Sequence, residues 1–317
     1  MKRKIVIVGA GGRLGAALHR FYTGEHDVIG LNHAQLDLAA PDQLQATLGA
    51  LEFDLLINSA AQTNVDRCET YRDEAFQLNG ETPGLLAEIC SSKNARLIHL
   101  STDYVFDGDK AEPYTEGDPP NPISVYGASK LEGEQRVLAT DPRHVVARVS
   151  WVFGPDRPSF IDWAIGQARE NERVQAVADK FSTPTYTLDL ANMLQPLLAS
   201  NAAVSGIIHL TGDGGCSWQE YAQWAIDCCL EAGIPLKARE VGAISLADMK
   251  NFIARRPVQT VLATDRYERL TGNKPRHWRD AVAEYVRDYV QSRNGRDEAH
   301  DVSSSAASKE NRSVRSD

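Results

Sequence analysis

A short apolar run followed at once by a glycine-rich turn most constrains how this 317-residue chain can fold. Residues Lys4–Val8 are mostly β-branched and apolar, as expected of a buried parallel strand. The turn has the spacing Gly9-x-x-Gly12-x-x-Gly15, and a helical pattern runs from there to Phe21. Glycines in this context permit a tight turn and let backbone amides approach a pyrophosphate at the helix N-terminus. The sequence therefore predicts a dinucleotide-binding strand–turn–helix unit at its start.

Strand and helix patterns alternate through the first half of the chain. After the first strand, further strands are predicted at Asp27–Leu31, Phe53–Asn58, Arg96–Ser101 and His144–Val149, and a long helical stretch runs from about Asp73 to Cys90. This alternation predicts an α/β fold: a Rossmann-type doubly wound parallel sheet with ligands at the carboxyl ends of its strands.

The pattern changes after Gly154, where helical segments are separated by short apolar runs such as Gly206-Ile-Ile-His-Leu210. We expect an NAD(P)-binding domain over residues 1–154 and a smaller mixed α/β, mainly substrate-binding part over residues 155–291. Residues 292–317 are polar and serine-rich without apolar periodicity, which predicts a disordered tail.

Composition excludes several classes of protein. Hydrophobic residues make up 42% of the chain, enough for a sizeable core, and the net charge of −9 argues against nucleic-acid binding. No apolar run is long enough to span a membrane, and the first residues lack a signal peptide's apolar stretch. The five cysteines form no C-x-x-C pair, so we expect no zinc site, and reduced thiols in a cytoplasmic protein.

Tyr126 and Lys130 are four residues apart in a predicted helix, so they share one face. A phenol, with a pKa near ~10, becomes an acid–base group at neutral pH when a cation such as Lys130 stabilises its anion. A hydroxyl from Ser101 or Thr102 can bind a substrate carbonyl beside them. Together these groups can protonate a carbonyl oxygen while a hydride arrives at its carbon. The pair also fits an ordinary amphipathic helix, but the glycine turn upstream favours the catalytic interpretation.

The coenzyme preference rests on the end of the second predicted strand. Asn32 and His33 stand there in place of the usual ribose-binding carboxylate, so NADPH is predicted and NADH remains possible. Arg13, in the glycine turn, either binds the 2′-phosphate or is a solvated surface charge. Asp37 either accepts a hydrogen bond from the adenine amine or begins a helix before Pro41.

Several motifs between residues 3 and 290 resemble the extended short-chain dehydrogenase/reductase superfamily, and within it the dTDP-4-dehydrorhamnose reductase family. Besides the glycine turn, they are Asn58-Ser-Ala-Ala-Gln-Thr-Asn-Val-Asp66, Leu78-Asn79, Ser101-Thr-Asp-Tyr-Val-Phe-Asp-Gly108, Tyr126-Gly-Ala-Ser-Lys130, Arg148-Val-Ser-Trp-Val-Phe-Gly154, Ser182-Thr-Pro-Thr185 before Asp189, Cys216-Ser-Trp218 and Arg255-Arg-Pro257.

The resemblance implies NADPH-dependent reduction of the 4-keto group of dTDP-4-dehydro-L-rhamnose to dTDP-L-rhamnose. It makes Tyr126 the general acid and Lys130 the group that lowers its pKa and binds the nicotinamide ribose. Thr102 takes the family's hydroxyl position, Thr102 and Asp103 touch the sugar, and Trp151 lines its pocket. With Gly9 and Gly15 of the turn, the predicted cofactor-binding positions are Gly12, Arg13, Leu14, Asp37, Leu38, Ala60, Ala61 and Gln62, together with Tyr126 and Lys130.

One departure from the family concerns metal. Some bacterial members carry a glutamate two residues beyond the third glycine and bind magnesium at a dimer interface. Ala17 stands there in this chain, so we expect no metal, and either a monomer or a homodimer.

Two other functions stay open. Another nucleotide-sugar enzyme of the superfamily is the first. A 4,6-dehydratase is disfavoured because related dehydratases have Thr-Asp-Glu where this chain has Thr102-Asp103-Tyr104, whereas an epimerase is harder to exclude. The second is a non-catalytic NADP-binding protein like the regulatory subunit of methionine adenosyltransferase. The complete set of Thr102, Tyr126 and Lys130 argues for an enzyme.

Overall fold

The structure, a computed structural model that describes residues 2–199 and 204–290, begins with the predicted strand–turn–helix unit. The elements of the first half are β1 (Lys4–Val8), α1 (Arg13–Tyr22), β2 (Asp27–Leu31), α2 (Pro41–Gly49), β3 (Leu55–Asn58), α3 (Val65–Thr70), α4 (Arg72–Phe76), a π-helical turn (Gln77–Glu81), α5 (Thr82–Ser92), β4 (Arg96–Thr102), α6 (Val125–Thr140) and β5 (Val145–Val149). Those of the second half are β6 (Val152–Phe153), α7 (Phe160–Glu170), β7 (Val174–Val177), β8 (Phe181–Ser182), β9 (Thr185–Tyr186), α8 (Thr187–Ala199), β10 (Gly206–His209), β11 (Cys216–Ser217), α9 (Trp218–Glu231), β12 (Val241–Ile244), α10 (Asp265–Thr271), α11 (Trp278–Tyr285) and a second π-helical turn (Val286–Val290).

Six strands form one parallel sheet in the order β10-β5-β4-β3-β1-β2. Strand β1 lies between β2 and β3, so the direction of winding changes there and a crevice opens at the carboxyl ends of β1 and β3. The register pairs Val8 with Leu31 on one side and with Asn58 on the other, which brings the ends of three strands to one edge. The predicted fold class is confirmed.

Helices cover both faces of the sheet, because alternate side chains of β1 pack into two different buried clusters. Ile5 and Ile7 belong to a buried cluster with α1 and α8, whereas Val6 and Val8 belong to one with α2, α5 and α6. Each such side chain contributes about 1.5–3 kcal/mol when fully buried. The crevice at the sheet edge is therefore built on a rigid support.

The chain returns to the parallel sheet beyond residue 154, where we predicted the domain boundary, and the boundary itself stays a prediction. Strand β10 pairs in parallel with β5, Gly206 opposite Val145, and α8 supplies Leu190 and Leu194 to the same core cluster as α1. Without β10 the backbone of β5 would be an open sheet edge. The described residues after 154 thus contribute to the sheet as well as to a separate core around Tyr221, in which α7, α9 and α11 pack together.

The helical stretch predicted from Asp73 to Cys90 is divided in three by the π-helical turn between α4 and α5. Among the described residues no helix is long and apolar enough to cross a membrane. All five cysteines are free and buried. The predicted tail, residues 292–317, lies outside the described residues.

Candidate active site

Helix α6 carries Tyr126, and a glycine sets how closely it approaches β4. Ser124 is its N-cap, accepting a hydrogen bond from the Gly127 amide at 3.2 Å. A Cβ atom on Gly127 would lie 2.1 Å from the carbonyl oxygen of Tyr104. Only glycine therefore lets the first turn of α6 lie directly on the backbone that follows Thr102.

The Tyr126 phenol lies at this contact. Its ring meets the Tyr104 ring edge to face, with centroids 5.6 Å apart. Burial is the main influence and raises the pKa of Tyr126, a hydrogen bond with Thr102 lowers it, and the Asp103 charge raises it. Tyr126 is therefore protonated at neutral pH and has a proton to donate.

Lys130 is buried one turn further along α6. Its Nζ donates to the Leu100 carbonyl oxygen at 2.7 Å and lies 3.3 Å from His99 Nε2. Burial lowers the pKa of Lys130 to about 8, while the Glu134 charge raises it. Burial, and next the Lys130 charge, hold the pKa of His99 well below its usual value, so His99 is neutral. These contacts fix Lys130 against β4; its roles toward Tyr126 and a ribose stay predictions.

Asp103 holds the Thr102 hydroxyl. Thr102 Oγ1 donates to Asp103 Oδ1 at 3.0 Å, while Ser150 and Thr260 donate to Oδ2 at 3.0 and 2.6 Å. The carboxylate is 3% exposed and collects hydroxyl groups from three separate segments. In this structure Asp103 therefore orients Thr102, and a direct contact with a sugar stays a prediction.

The glycine turn is shaped by close approaches of backbone. Gly9 has φ +85° and a Cβ atom there would lie 2.9 Å from Ala60, while a Cβ atom on Gly15 would lie 2.1 Å from the Gly9 carbonyl oxygen. The N-cap Gly12 offers no side-chain hydrogen bond to the first amides of α1, and the first turn carries no acidic residue. These amides form the positive end of the α1 dipole. Leu14 is buried beneath the turn.

The other predicted cofactor positions lie around the same crevice. Asn79, in the π-helical turn, accepts from the Gln62 amide at 2.8 Å and donates to Ser129 on α6 at 3.1 Å. It thereby ties the loop after β3, which carries the half-buried Ala60 and Ala61, to α6. Asp37 accepts from the Ala39 amide at 2.9 Å, beside the half-buried Leu38.

Arg13 makes hydrogen bonds to a neighbouring loop. Its guanidinium donates to the carbonyl oxygens of Val152 at 3.2 Å, Arg157 at 3.1 Å, and Pro158. Arg13 therefore attaches α1 to the loop after β6. One N–H on Nη1 and one on Nη2 remain, and the phosphate contact of Arg13 stays a prediction.

Trp151 adopts a backbone conformation that side chains rarely accept, with φ +46°. Such a residue costs about 1–3 kcal/mol and persists where its surroundings enforce it. Here the indole is surrounded by the rings of Tyr221, Phe160 and Trp218, with centroids 4.9, 5.5 and 5.7 Å away. It forms a fixed aromatic wall directly after Ser150, the Asp103 partner.

A family model described as "RmlD substrate binding domain" matches residues 3–291. The chain belongs to this RmlD family. The predicted family resemblance is thereby confirmed.

Three relatives align with this chain over nearly the whole of their own length. A dTDP-4-dehydrorhamnose reductase of Aggregatibacter actinomycetemcomitans is 31% identical over 91% of this chain and 99% of its own. A Streptomyces antibioticus protein named "Probable dTDP-4,6-dihydroxy-2-methyloxan-3-one 4-ketoreductase" is 37% identical over 90% of this chain and 95% of its own. The crystal structure of a Bacillus anthracis dTDP-4-dehydrorhamnose reductase in complex with NADP has a TM-score of 0.82 and 31% identity, covering 90% of this chain and 98% of that one.

In this RmlD-family chain, Lys180 is a site residue that sequence reasoning missed. It is 1% exposed, and its Nζ donates to Ser182 Oγ at 3.3 Å and lies 5.1 Å from the centre of the Tyr104 ring. Burial lowers the pKa of Lys180 to about 8, while the Asp103 charge raises it. The Asp103 charge therefore favours the protonated form of Lys180. A single lysine before a short strand carries no signal that would have revealed this.

In the part of the chain that the structure describes, no cluster of three or more His, Cys, Asp or Glu side chains is placed to hold a metal ion.

Proposed function

We propose that this chain is an NADPH-dependent reductase that converts the 4-keto group of dTDP-4-dehydro-L-rhamnose to the hydroxyl group of dTDP-L-rhamnose. The observation that carries the proposal is the placement of Tyr126 and Lys130 on α6, packed against the end of β4 where Thr102 and Asp103 stand. Membership of the RmlD family and the names of the relatives support it.

The crevice fits a nicotinamide dinucleotide. The close approaches at Gly9 and Gly15 hold the turn tightly against Ala60 and against the start of α1, whose first amides receive no side-chain cap. Such amides suit a diphosphate. The structure of the Bacillus anthracis relative with NADP supports NADP as the coenzyme. Gly9, Gly12 and Leu14 would hold the diphosphate, and Ala60 to Gln62 would line the path toward the nicotinamide.

When bound, the nicotinamide supplies the hydride. The chain's own part is to hold the keto oxygen and give it a proton. Tyr126 donates its phenolic proton to that oxygen as charge develops, the task of a general acid. The single hydroxyl proton of Thr102, donated to Asp103 in this structure, would have to turn to the keto oxygen to bind it, and that hydrogen bond helps most when the oxygen is negative.

Trp151 and the rings around it offer an apolar wall for the deoxysugar. The wall is rigid because Trp151 is packed on several sides. Rigid walls hold a reacting carbon in one orientation, which contributes to rate.

A second substrate is favoured by one comparison. The Streptomyces antibioticus relative is 37% identical and is named for a different dTDP-linked keto sugar. Another nucleotide-sugar reduction is therefore the alternative. In both cases the partner is a small nucleotide-sugar, and a cytoplasmic monomer or homodimer is part of the proposal.

The test is consumption of NADPH by the purified protein, followed by absorbance, with the 4-keto-6-deoxy sugar on dTDP, UDP and GDP carriers. We expect turnover with the dTDP sugar and none with Tyr126→Phe above about 1% of wild type. NADPH binding without turnover of any of the three sugars would replace the reductase with the non-catalytic alternative.

A further inference from the structure

Arg157 belongs to the loop after β6, and its side chain reaches the glycine turn. Its Nε donates to the Gly11 carbonyl oxygen at 2.7 Å, while its own carbonyl oxygen accepts from Arg13 Nε at 3.1 Å. The side chain is exposed. Two arginines thus cross between α1 and this loop in opposite directions.

The loop does not depend on Arg157 for its attachment. Arg13 donates to carbonyl oxygens of the loop. Arg20 on α1 forms a two-contact salt bridge with Asp156, in which Nη2 donates to Oδ2 at 3.0 Å. Each nitrogen of the Arg13 guanidinium donates one hydrogen bond to the loop, which leaves one N–H on Nη1 and one on Nη2. By contrast, Nη1 and Nη2 of Arg157 have no hydrogen-bond partner within residues 2–199 and 204–290. Arg157 therefore offers both of its terminal nitrogens to a ligand while its Nε keeps the contact with Gly11.

Positive charge is concentrated at the turn. Burial lowers the pKa of Arg13 most, the Asp162 charge raises it, and the Arg157 charge lowers it to a smaller extent, so the two arginines repel each other while Asp162 attracts Arg13. The first turn of α1 is positive and has no acidic residue, and Asp156 is already paired with Arg20. Like charges beside a helix N-terminus are destabilising unless an anion binds between them.

Gly11 also locates Arg157 relative to the cofactor. A Cβ atom on Gly11 would lie 3.3 Å from Asn32 Cβ, so the turn touches the end of β2 where the adenosine ribose is expected. The pyrophosphate path over the α1 amides begins at the same turn. A guanidinium fixed on Gly11 lies within reach of both kinds of phosphoryl oxygen.

We propose that Arg157 binds a phosphoryl group of the dinucleotide, so that the contact predicted for Arg13 is made by an arginine on the opposite side of the crevice. The inference rests on the proposed use of NADP. The Nε of Arg157 stays on Gly11, and its two terminal nitrogens form charge-assisted hydrogen bonds to phosphoryl oxygens. The ligand group is the 2′-phosphate or the pyrophosphate, which share this chemistry.

The experiment measures dissociation constants of NADPH and NADH by quenching of intrinsic fluorescence for wild type, Arg157→Ala and Arg157→Gln. Arg157→Gln keeps an N–H donor for Gly11 but removes the charge. Because Arg157 is exposed, these variants are expected to fold. We expect both variants to bind NADPH about 5- to 30-fold more weakly than wild type, as for the loss of a partly solvated charge-assisted hydrogen bond. Added salt should reduce this difference in affinity between wild type and the variants.

Fragments identify the phosphate. If Arg157 contacts the 2′-phosphate, the variants lose affinity for NADPH and 2′,5′-ADP but not for NADH or ADP. If it contacts the pyrophosphate, they lose affinity for NADPH, NADH and ADP alike. Either pattern supports the proposal. Arg157→Lys, which keeps the charge, should recover part of the affinity.

Arg20→Ala is the matched control, because it breaks the other attachment of the loop and leaves Arg157 intact. An equal loss in Arg20→Ala, or wild-type affinity in Arg157→Gln, would reduce Arg157 to a loop anchor and overturn the proposal. So would a loss confined to NADPH in Arg13→Ala, with Arg157→Gln unaffected. Failure of the wild-type protein to bind either coenzyme would instead remove the proposed function itself.

Discussion

Substitution of Gly127 by alanine tests whether the contact between α6 and the Tyr104 backbone sets the catalytic geometry. The new Cβ atom would lie 2.1 Å from the Tyr104 carbonyl oxygen, whereas carbon and oxygen atoms normally stay about 3.3 Å apart. The first turn of α6 must therefore move away by about 1 Å, because the obstacle is backbone. Tyr126 precedes Gly127 in that turn and must move with it.

A displacement of this size at a reacting group costs about 10²-fold in turnover, and overpacking of this kind costs about 1–3 kcal/mol of stability. We expect kcat to fall by about two orders of magnitude while the dissociation constant of NADPH changes little, since the glycine turn lies on another helix. Stopped-flow or steady-state oxidation of NADPH measures the first, and fluorescence quenching the second.

Gly166 in α7 provides the matched control, because a Cβ atom there has nothing within 4 Å. Gly166→Ala should keep full turnover and stabilise the protein by about 0.4–1 kcal/mol through the unfolded state. If Gly127→Ala retained kcat within about threefold of wild type while folded, the proposed role of this contact would be refuted.

Three further predictions follow from the site and the tail. Tyr126→Phe should leave coenzyme binding nearly intact and cost about 10²–10⁴ in turnover, whereas Lys130→Ala should damage both; near-normal turnover in Tyr126→Phe contradicts the mechanism. Burial lowers the pKa of Lys180 to about 8 in the folded protein, so between about pH 8 and 10 this lysine binds more protons in the unfolded chain than in the folded one. Its contribution to the free energy of unfolding therefore rises with pH in that range. Chemical denaturation of Lys180→Met should show a smaller rise in the free energy of unfolding with pH than wild type. An equal rise in the two proteins would exclude a buried ammonium at position 180. Removal of residues 292–317 should change neither melting temperature nor activity, and a clear fall in melting temperature would show that the segment docks.

Local sequence was enough for the part of the site built from consecutive residues. The apolar run before Gly9 predicted β1 with its observed bounds, because a β-branched segment ending in glycines has few other folds. The spacing of Tyr126 and Lys130 predicted a shared helix, and both lie in α6. The family resemblance and the parallel sheet were likewise predicted and are confirmed.

Contacts between distant segments were not predictable in the same way. The return of β10 to the sheet depends on the open edge of β5, which no local pattern records. Arg13 was a candidate for phosphate binding because of its place in the turn, yet its guanidinium reaches carbonyl oxygens near residue 157. Lys180 became visible only when its ammonium was found buried near Asp103. In each case the deciding partner is far away in the sequence.

The catalytic helix is fixed at two points, and the proposed acid and lysine lie between them. In the first turn, Gly127 sets the distance to the Tyr104 backbone just after β4. Further along the helix, Glu134 accepts hydrogen bonds from Arg148 at 2.6 and 2.9 Å and from Ser101 at 2.6 Å, and the Glu134 and Arg148 side chains are each 1% exposed. Removing one partner of such a buried pair typically costs about 3–5 kcal/mol, so α6 cannot slide or rotate cheaply relative to β4 and β5. Lys130, one turn before Glu134, is bonded to β4 as well. The position of the Tyr126 hydroxyl therefore follows from packing and charge on the helix itself, before any ligand binds, and this preorganisation is what a general acid requires.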